Sequence, residues 1–146
     1  MMTHAATTAR STSKESPVLD AACPFCTPPR DRIVFESELG VAFRDRFPIS
    51  PGHSLIIPKR HVASFFETTP EEQVAMLRLL EITKVDIDHQ LHPAGYNVGI
   101  NDGHAAGQTV MHLHIHLIPR YEGDRNDPRG GVRWVLPEKA AYWNNG

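Results

Sequence analysis

The 146-residue sequence holds only two cysteines, no long apolar run and no surplus of charge of either sign. Two cysteines exclude a disulfide-built scaffold. No stretch approaches the ~18 consecutive apolar residues of a membrane-crossing helix, so no membrane role is expected. Fifteen Lys and Arg against seventeen Asp and Glu give a formal charge of −2. That balance excludes a nucleic-acid binder driven by bulk basic charge. Residues 1–21, rich in Ser, Thr and Ala, lack the apolar block of a signal peptide and the Arg-rich amphipathic pattern of a presequence. They are expected to be a flexible extension of a cytoplasmic protein. Against these scarcities stands one abundance, nine histidines, the commonest metal ligand and the side chain that titrates near neutrality.

Turn residues divide the chain into short elements. Ile33–Glu36 and Val41–Arg44 read as strands joined through Ser37–Gly40. Ser54–Ile57 reads as a buried strand stopped by Pro58. Thr69, Pro70 and Glu72 form a capping-box signature that opens a helix ending near His92–Gly95. Val74, Leu77, Leu80 and Val85, widened by Ile82 and Ile87, are its expected apolar stripe. Tyr96–Ile100 and Val110–Ile118 read as further strands, the last closed by Pro119. About five strands in a mainly antiparallel sheet, with one long helix, predict an α+β domain.

The last predicted strand carries Met111-His112-Leu113-His114-Ile115-His116-Leu117. With a side-chain period of two, His112, His114 and His116 share one face and the apolar residues the other, turned toward the helix. His112 and His116 would sit about 13 Å apart, too far to share one cation. The three therefore divide their work. Cys23-Pro-Phe-Cys26 reads either as half of a tetrahedral zinc site or as a redox pair. His53, His61 and one end of the triad are the available further ligands. A set of Cys23, Cys26, His61 and His112 leaves His114 and His116 free for chemistry.

Asn101–Thr109 precedes the histidines and contains Gly103 and Gly107. Backbone N–H groups in such a loop cradle anions. A neutral His114 can attack phosphorus, while Thr109, Gln108 and His116 stabilise charge on oxygen. No Walker lysine loop accompanies them, and no organic cofactor is expected.

The alternating triad and the preceding Ala106-Gly107-Gln108-Thr109 resemble the signature of the histidine-triad (HIT) family. Further matching pieces are the CxxC, Val41–Asp45, Pro51-Gly52-His53 and Pro58-Lys-Arg-His61. The resemblance implies a HIT domain over residues 22–122, followed by a C-terminal extension, 123–146, packed on it. It implies a homodimer formed through a sheet edge and a helix, acting on a small nucleotide. The implied reaction is cleavage at the α-phosphorus of dinucleoside polyphosphates or nucleoside phosphoramidates, with His114 as nucleophile. By the same resemblance a backbone carbonyl near His112 orients His114, and His116 contacts phosphate or leaving group. Asp45 is the implied ribose ligand; Asn101, Gly107, Gln108 and Thr109 are the implied phosphate site. Zinc-bearing bacterial members resemble the four-ligand set, with zinc structural.

Two functions of other classes compete with the enzyme. One is a zinc-stapled module that binds nucleotide without turnover; the other is a metalloenzyme with zinc on His114 and a redox CxxC. His89 and His92 suit the helix C-terminus, His4 lies in the tail, and His53 and His104 are possible site neighbours. Gly130–Trp143 is expected to add a strand and a Trp-anchored tail; the alternative is that Arg133 or Trp134 reaches a partner's site. Arg125 and Arg129 read as solvated charges, and Arg120 and Tyr121 either cap the surface or approach a polyphosphate.

Overall fold

The structure is a computed structural model that describes residues 19–145. Residues 1–18 of the expected N-terminal extension lie outside the described residues. Five strands form one antiparallel sheet: β1 (Ile33–Glu36), β2 (Gly40–Arg44), β3 (Ser54–Pro58), β4 (Gly95–Ile100) and β5 (Ile115–Arg120). Their spatial order is β1-β2-β3-β5-β4, so β5 inserts between β3 and the edge strand β4. The one long helix among the described residues, α1 (Pro70–Leu91), covers one face. The α+β expectation is met.

Helix α1 starts where its cap directs. Thr69 Oγ1 accepts from the Glu72 N–H at 3.1 Å, and the Glu72 carboxylate accepts from the Thr69 N–H at 3.0 Å. Arg60 adds two bonds to that carboxylate, of 2.7 and 3.2 Å. Its chain end is His92, in the left-handed conformation.

The buried face of α1 matches the expected stripe only at Ile87 and, in part, at Leu80. Met76, Leu79, Thr83 and Ile87 are buried against Ala42, Ile56, Leu113, Ile115 and Leu117. Val74, Leu77, Ile82 and Val85 are instead about half exposed. The helix is apolar on two sides, and at 100° per residue either stripe satisfies the period. Only the packing of the sheet decides between them.

The second face of the sheet carries Val41, Phe43, Leu55 and Ile57, with Phe25 and Ile33 packed against them. Gly52, at φ +86°, makes the turn into β3; a Cβ there would lie 2.8 Å from Leu91 Cδ1. The C-terminal stretch forms no strand. It makes 3-10 turns at Gly131–Val135 and Tyr142–Asn144 around a short helix, α2 (Pro137–Ala140). Gly130 and Gly131 both take positive φ, which interrupts any extended run. Trp134 Nε1 donates to Arg129 O, and Arg125 and Arg129 lie over Trp134 and Trp143 respectively, each 4.4 Å from the ring centre. Both arginines are exposed, as expected, while stacking on the rings.

Candidate active site and metal centre

The histidine segment is only partly a strand. The β3–β5 ladder runs from Ser54–Leu117 to Ile56–Ile115 and stops there. Pro58 lacks the N–H that would continue it, and residues 112–114 turn to other partners. Leu113 N–H donates to Val62 O at 2.7 Å, and His112 Nε2 donates to Pro58 O at 2.8 Å. The expected strand over Val110–Ile118 thus begins at Ile115. It also passes through Pro119 to Arg120, because the ladder with β3 already ends at Leu117 and no partner loses a bond. Nor do the imidazoles line an open face: His112 is fully buried and His114 is buried.

Burial lowers the His112 pKa, against the opposing pull of Pro58 O. A neutral ring with its proton on Nε2 leaves Nδ1 as the ligand atom. That atom lies 3.5 Å from Cys23 Sγ and 3.6 Å from Cys26 Sγ, while His61 Nδ1 lies 3.3 Å from Cys26 Sγ. All four donors fall within 4.8 Å of one another. Zinc with its usual bond lengths would place S and N roughly 3.6 Å apart along the edge of a tetrahedron. The donor set fits such an ion: two sulfurs, two nitrogens, and one ring anchored from behind by a carbonyl. Burial raises the Cys26 thiol pKa, a condition a divalent cation reverses.

His114 is oriented by the same residue. Its Nδ1 donates to the carbonyl of His112 at 2.8 Å, so in the neutral ring Nε2 carries the lone pair. No described residue bonds that Nε2. Phe25, between the two cysteines, packs edge-on against His114 at 5.0 Å and against Phe43 at 5.6 Å. The aromatic within the CxxC is the one sequence signal that could have placed it there.

His116 faces the same side, its ring 5.1 Å from that of His114. His53 joins it, buried, with Nε2 3.0 Å from His116 Nδ1 and 3.4 Å from Asp45 Oδ2. Burial is the main cause that lowers the His116 pKa to about 4, and the neighbouring His114 and His53 add to it. Burial also lowers that of His53, against the opposing pull of Asp45. Asp45 continues β2 opposite His53, its N–H donating to His53 O at 2.9 Å. Asn101 directly follows β4, whose last residue, Ile100, pairs with Ile115 at the start of β5.

The loop before the triad is held by Gln108. Its side-chain oxygen accepts from Gly103 N–H at 2.8 Å, and its amide donates to Ala63 O and Val110 O. Gln108 is buried, and these bonds occupy the groups a phosphate would need. Its influence on an anion passes through the loop it shapes, in which Gly103 and Gly107 have φ near +90°. Thr109 is exposed, and neither its N–H nor its hydroxyl bonds a described residue. His104 is exposed in the same loop, and His89 and His92 are exposed at the end of α1. A cavity of about 690 Å³ lies beside α1 between Glu36 and Ile82. The chemistry-bearing residues lie elsewhere, so their grouping and not cavity size locates the site.

Known proteins carry the same organisation. The HIT domain matches residues 29–123. The chain is 37% identical over 114 residues to the adenylylsulfatase HINT3 of Arabidopsis thaliana, covering 75% of this chain and 58% of that protein. It is 36% identical over 97 residues to the asymmetrical bis(5'-nucleosyl)-tetraphosphatase of Schizosaccharomyces pombe, covering 66% and 53% respectively. It thus spans little more than half the length of either relative. A zinc-bound histidine triad protein from Mycobacterium smegmatis superposes with a TM-score of 0.63 at 30% identity, over 86% of this chain and 98% of that one. With one domain match over most of its length, a shared five-strand sheet and the triad set on it, this chain belongs to the HIT domain family.

Proposed function

We propose that the chain is a nucleotide hydrolase or transferase that cleaves at the α-phosphorus through a nucleotidyl–His114 intermediate. The carrying observation is the 2.8 Å bond from His114 Nδ1 to the His112 carbonyl. In the neutral ring it leaves the lone pair on Nε2, which no described residue bonds, on a ring that cannot turn freely. Attack by that lone pair forms a P–N bond as the bond to the leaving group breaks, and the departing group takes the electron pair. Water or phosphate then attacks the intermediate and releases His114. Dinucleoside polyphosphates and nucleoside phosphoramidates are the substrate classes; the hydrolytic names of the two relatives support the class.

His116 sits beside the nucleophile to contact phosphate or leaving group. Asp45 accepts from ribose hydroxyls. Asn101, Gly107 and Thr109 bind phosphate oxygens, Thr109 through its N–H and hydroxyl, while Gln108 holds their loop. Cys23, Cys26, His61 and His112 hold a structural zinc, which supplies a cross-link between the N-terminal segment and the sheet. A second copy of the chain pairs along the edge strand β4 and the exposed stripe of α1. A cytoplasmic location remains the expectation for this chemistry.

The test is turnover of a panel containing adenosine phosphoramidate and diadenosine polyphosphates of several lengths. His114→Asn is expected to lower kcat by at least about 10³-fold on every substrate used. Nucleotide binding without turnover by the unaltered protein would replace the enzyme with a binding module.

A further inference from the structure

The nitrogen contacts around His53 determine which atoms carry protons. Ile49 N–H donates to His53 Nδ1 at 3.2 Å, so Nδ1 is the bare nitrogen. A ring whose Nδ1 accepts a hydrogen bond carries its proton on Nε2. That Nε2 lies 3.0 Å from His116 Nδ1. Two N–H groups cannot face each other at this distance, so His116 Nδ1 accepts. Asp45 Oδ2, at 3.4 Å from the same Nε2, accepts more weakly and selects the same proton position. A neutral His116 must then carry its own proton on Nε2.

We propose that His53 is a positioning residue that holds His116 in its Nε2–H tautomer, making adjacent imidazoles opposite in kind. His114 presents a lone pair and His116 presents a hydrogen-bond donor. This rests on the reading of His114 as the nucleophile. As the P–N bond to His114 forms and the bond to the leaving group breaks, charge grows on phosphoryl and leaving-group oxygens. With a polyphosphate substrate, His116 Nε2–H donates to one of them without giving up its proton. His53 keeps its proton as well, and the leaving polyphosphate departs with its electron pair; the amine of a phosphoramidate departs with that pair and the Nε2 proton of His116, which regains one from the attacking water. With the other tautomer, His116 would turn a lone pair toward that oxygen and oppose the charge.

Long-range proton–nitrogen NMR on the full chain labelled with ¹⁵N-histidine, at neutral pH, reads the tautomer directly, because protonated and bare imidazole nitrogens resonate far apart. In the unaltered protein His116 is expected to show a bare Nδ1 and a protonated Nε2. His53→Ala is expected to leave His116 a mixture of tautomers with the His114 pattern unchanged. Its kcat should fall by roughly tenfold with KM little altered. His53→Gln, whose amide can donate near the same point, should restore the single tautomer and most of kcat. A protonated Nδ1 on His116 in the unaltered protein overturns the proposal, even if His53→Ala does not fold. A folded His53→Ala with an unchanged His116 tautomer also overturns it. Absence of turnover with the expected tautomer intact would count against the enzymatic reading and leave the positioning role standing.

Discussion

At the scale of single residues, His112 has two roles that the sequence assigned to different groups. Its ring closes the Cys23–Cys26–His61 cluster, and its carbonyl orients His114. Holding one ring therefore holds the next. Cys23→Ser is expected to lose a bound zinc per chain, lower the melting temperature and reduce turnover. His114→Asn should retain the metal. Metal analysis with thermal melts on both variants checks this, and loss of zinc from His114→Asn would contradict it. The grouping of Cys23, Cys26, His61 and His112 was legible because CxxC spacing and the reach of zinc exclude most alternatives. His53 was legible only as a possible site neighbour, since a lone histidine before a strand carries no periodic signal. Its role depends on a contact across 63 positions of chain.

At the scale of elements, the ends of α1 were readable and its buried face was not. Thr69, Pro70 and Glu72 act locally, and local signals survive without the fold. Which stripe meets the sheet is a tertiary decision. Similarly, alternation in residues 111–117 indicated extended chain but could not show that Pro58 ends the ladder. Glu72 ties the helix cap to Arg60, next to His61 of the cysteine–histidine cluster. Burial pushes its carboxyl up, but the bonds from Arg60 and Thr69 outweigh this and leave its pKa below 4.5. The carboxylate consequently stabilises the fold above pH 4.5, and that contribution is lost as pH falls through its lowered folded pKa. Glu72→Ala is expected to cost on the order of 2 kcal/mol near neutrality. The difference should shrink toward acid pH, measured by denaturant unfolding across pH; a pH-independent difference would contradict the account.

At the scale of the whole molecule, the sheet has two unlike faces: one buried under α1, one carrying His53, His114 and His116 beside the cysteine segment. α1 still leaves Val74, Leu77 and Val85 about half exposed, and β4 is a sheet edge. Exposed apolar stripes of this kind mark interaction surfaces. Leu77→Glu combined with Val74→Glu is expected to convert a dimer to a monomer in analytical ultracentrifugation, with far-UV dichroism retained. A monomeric unaltered protein would contradict the pairing.

The proposed reaction runs through a covalent bond between His114 and the nucleotide. It is tested most directly by mixing enzyme with α-labelled diadenosine polyphosphate or adenosine phosphoramidate and quenching rapidly into alkaline denaturant, which preserves phosphorus–histidine bonds. Peptide mass analysis should then place one nucleotidyl group on His114 and none in His114→Asn. An adduct on another residue, or turnover in which no adduct forms at any time, would contradict the account.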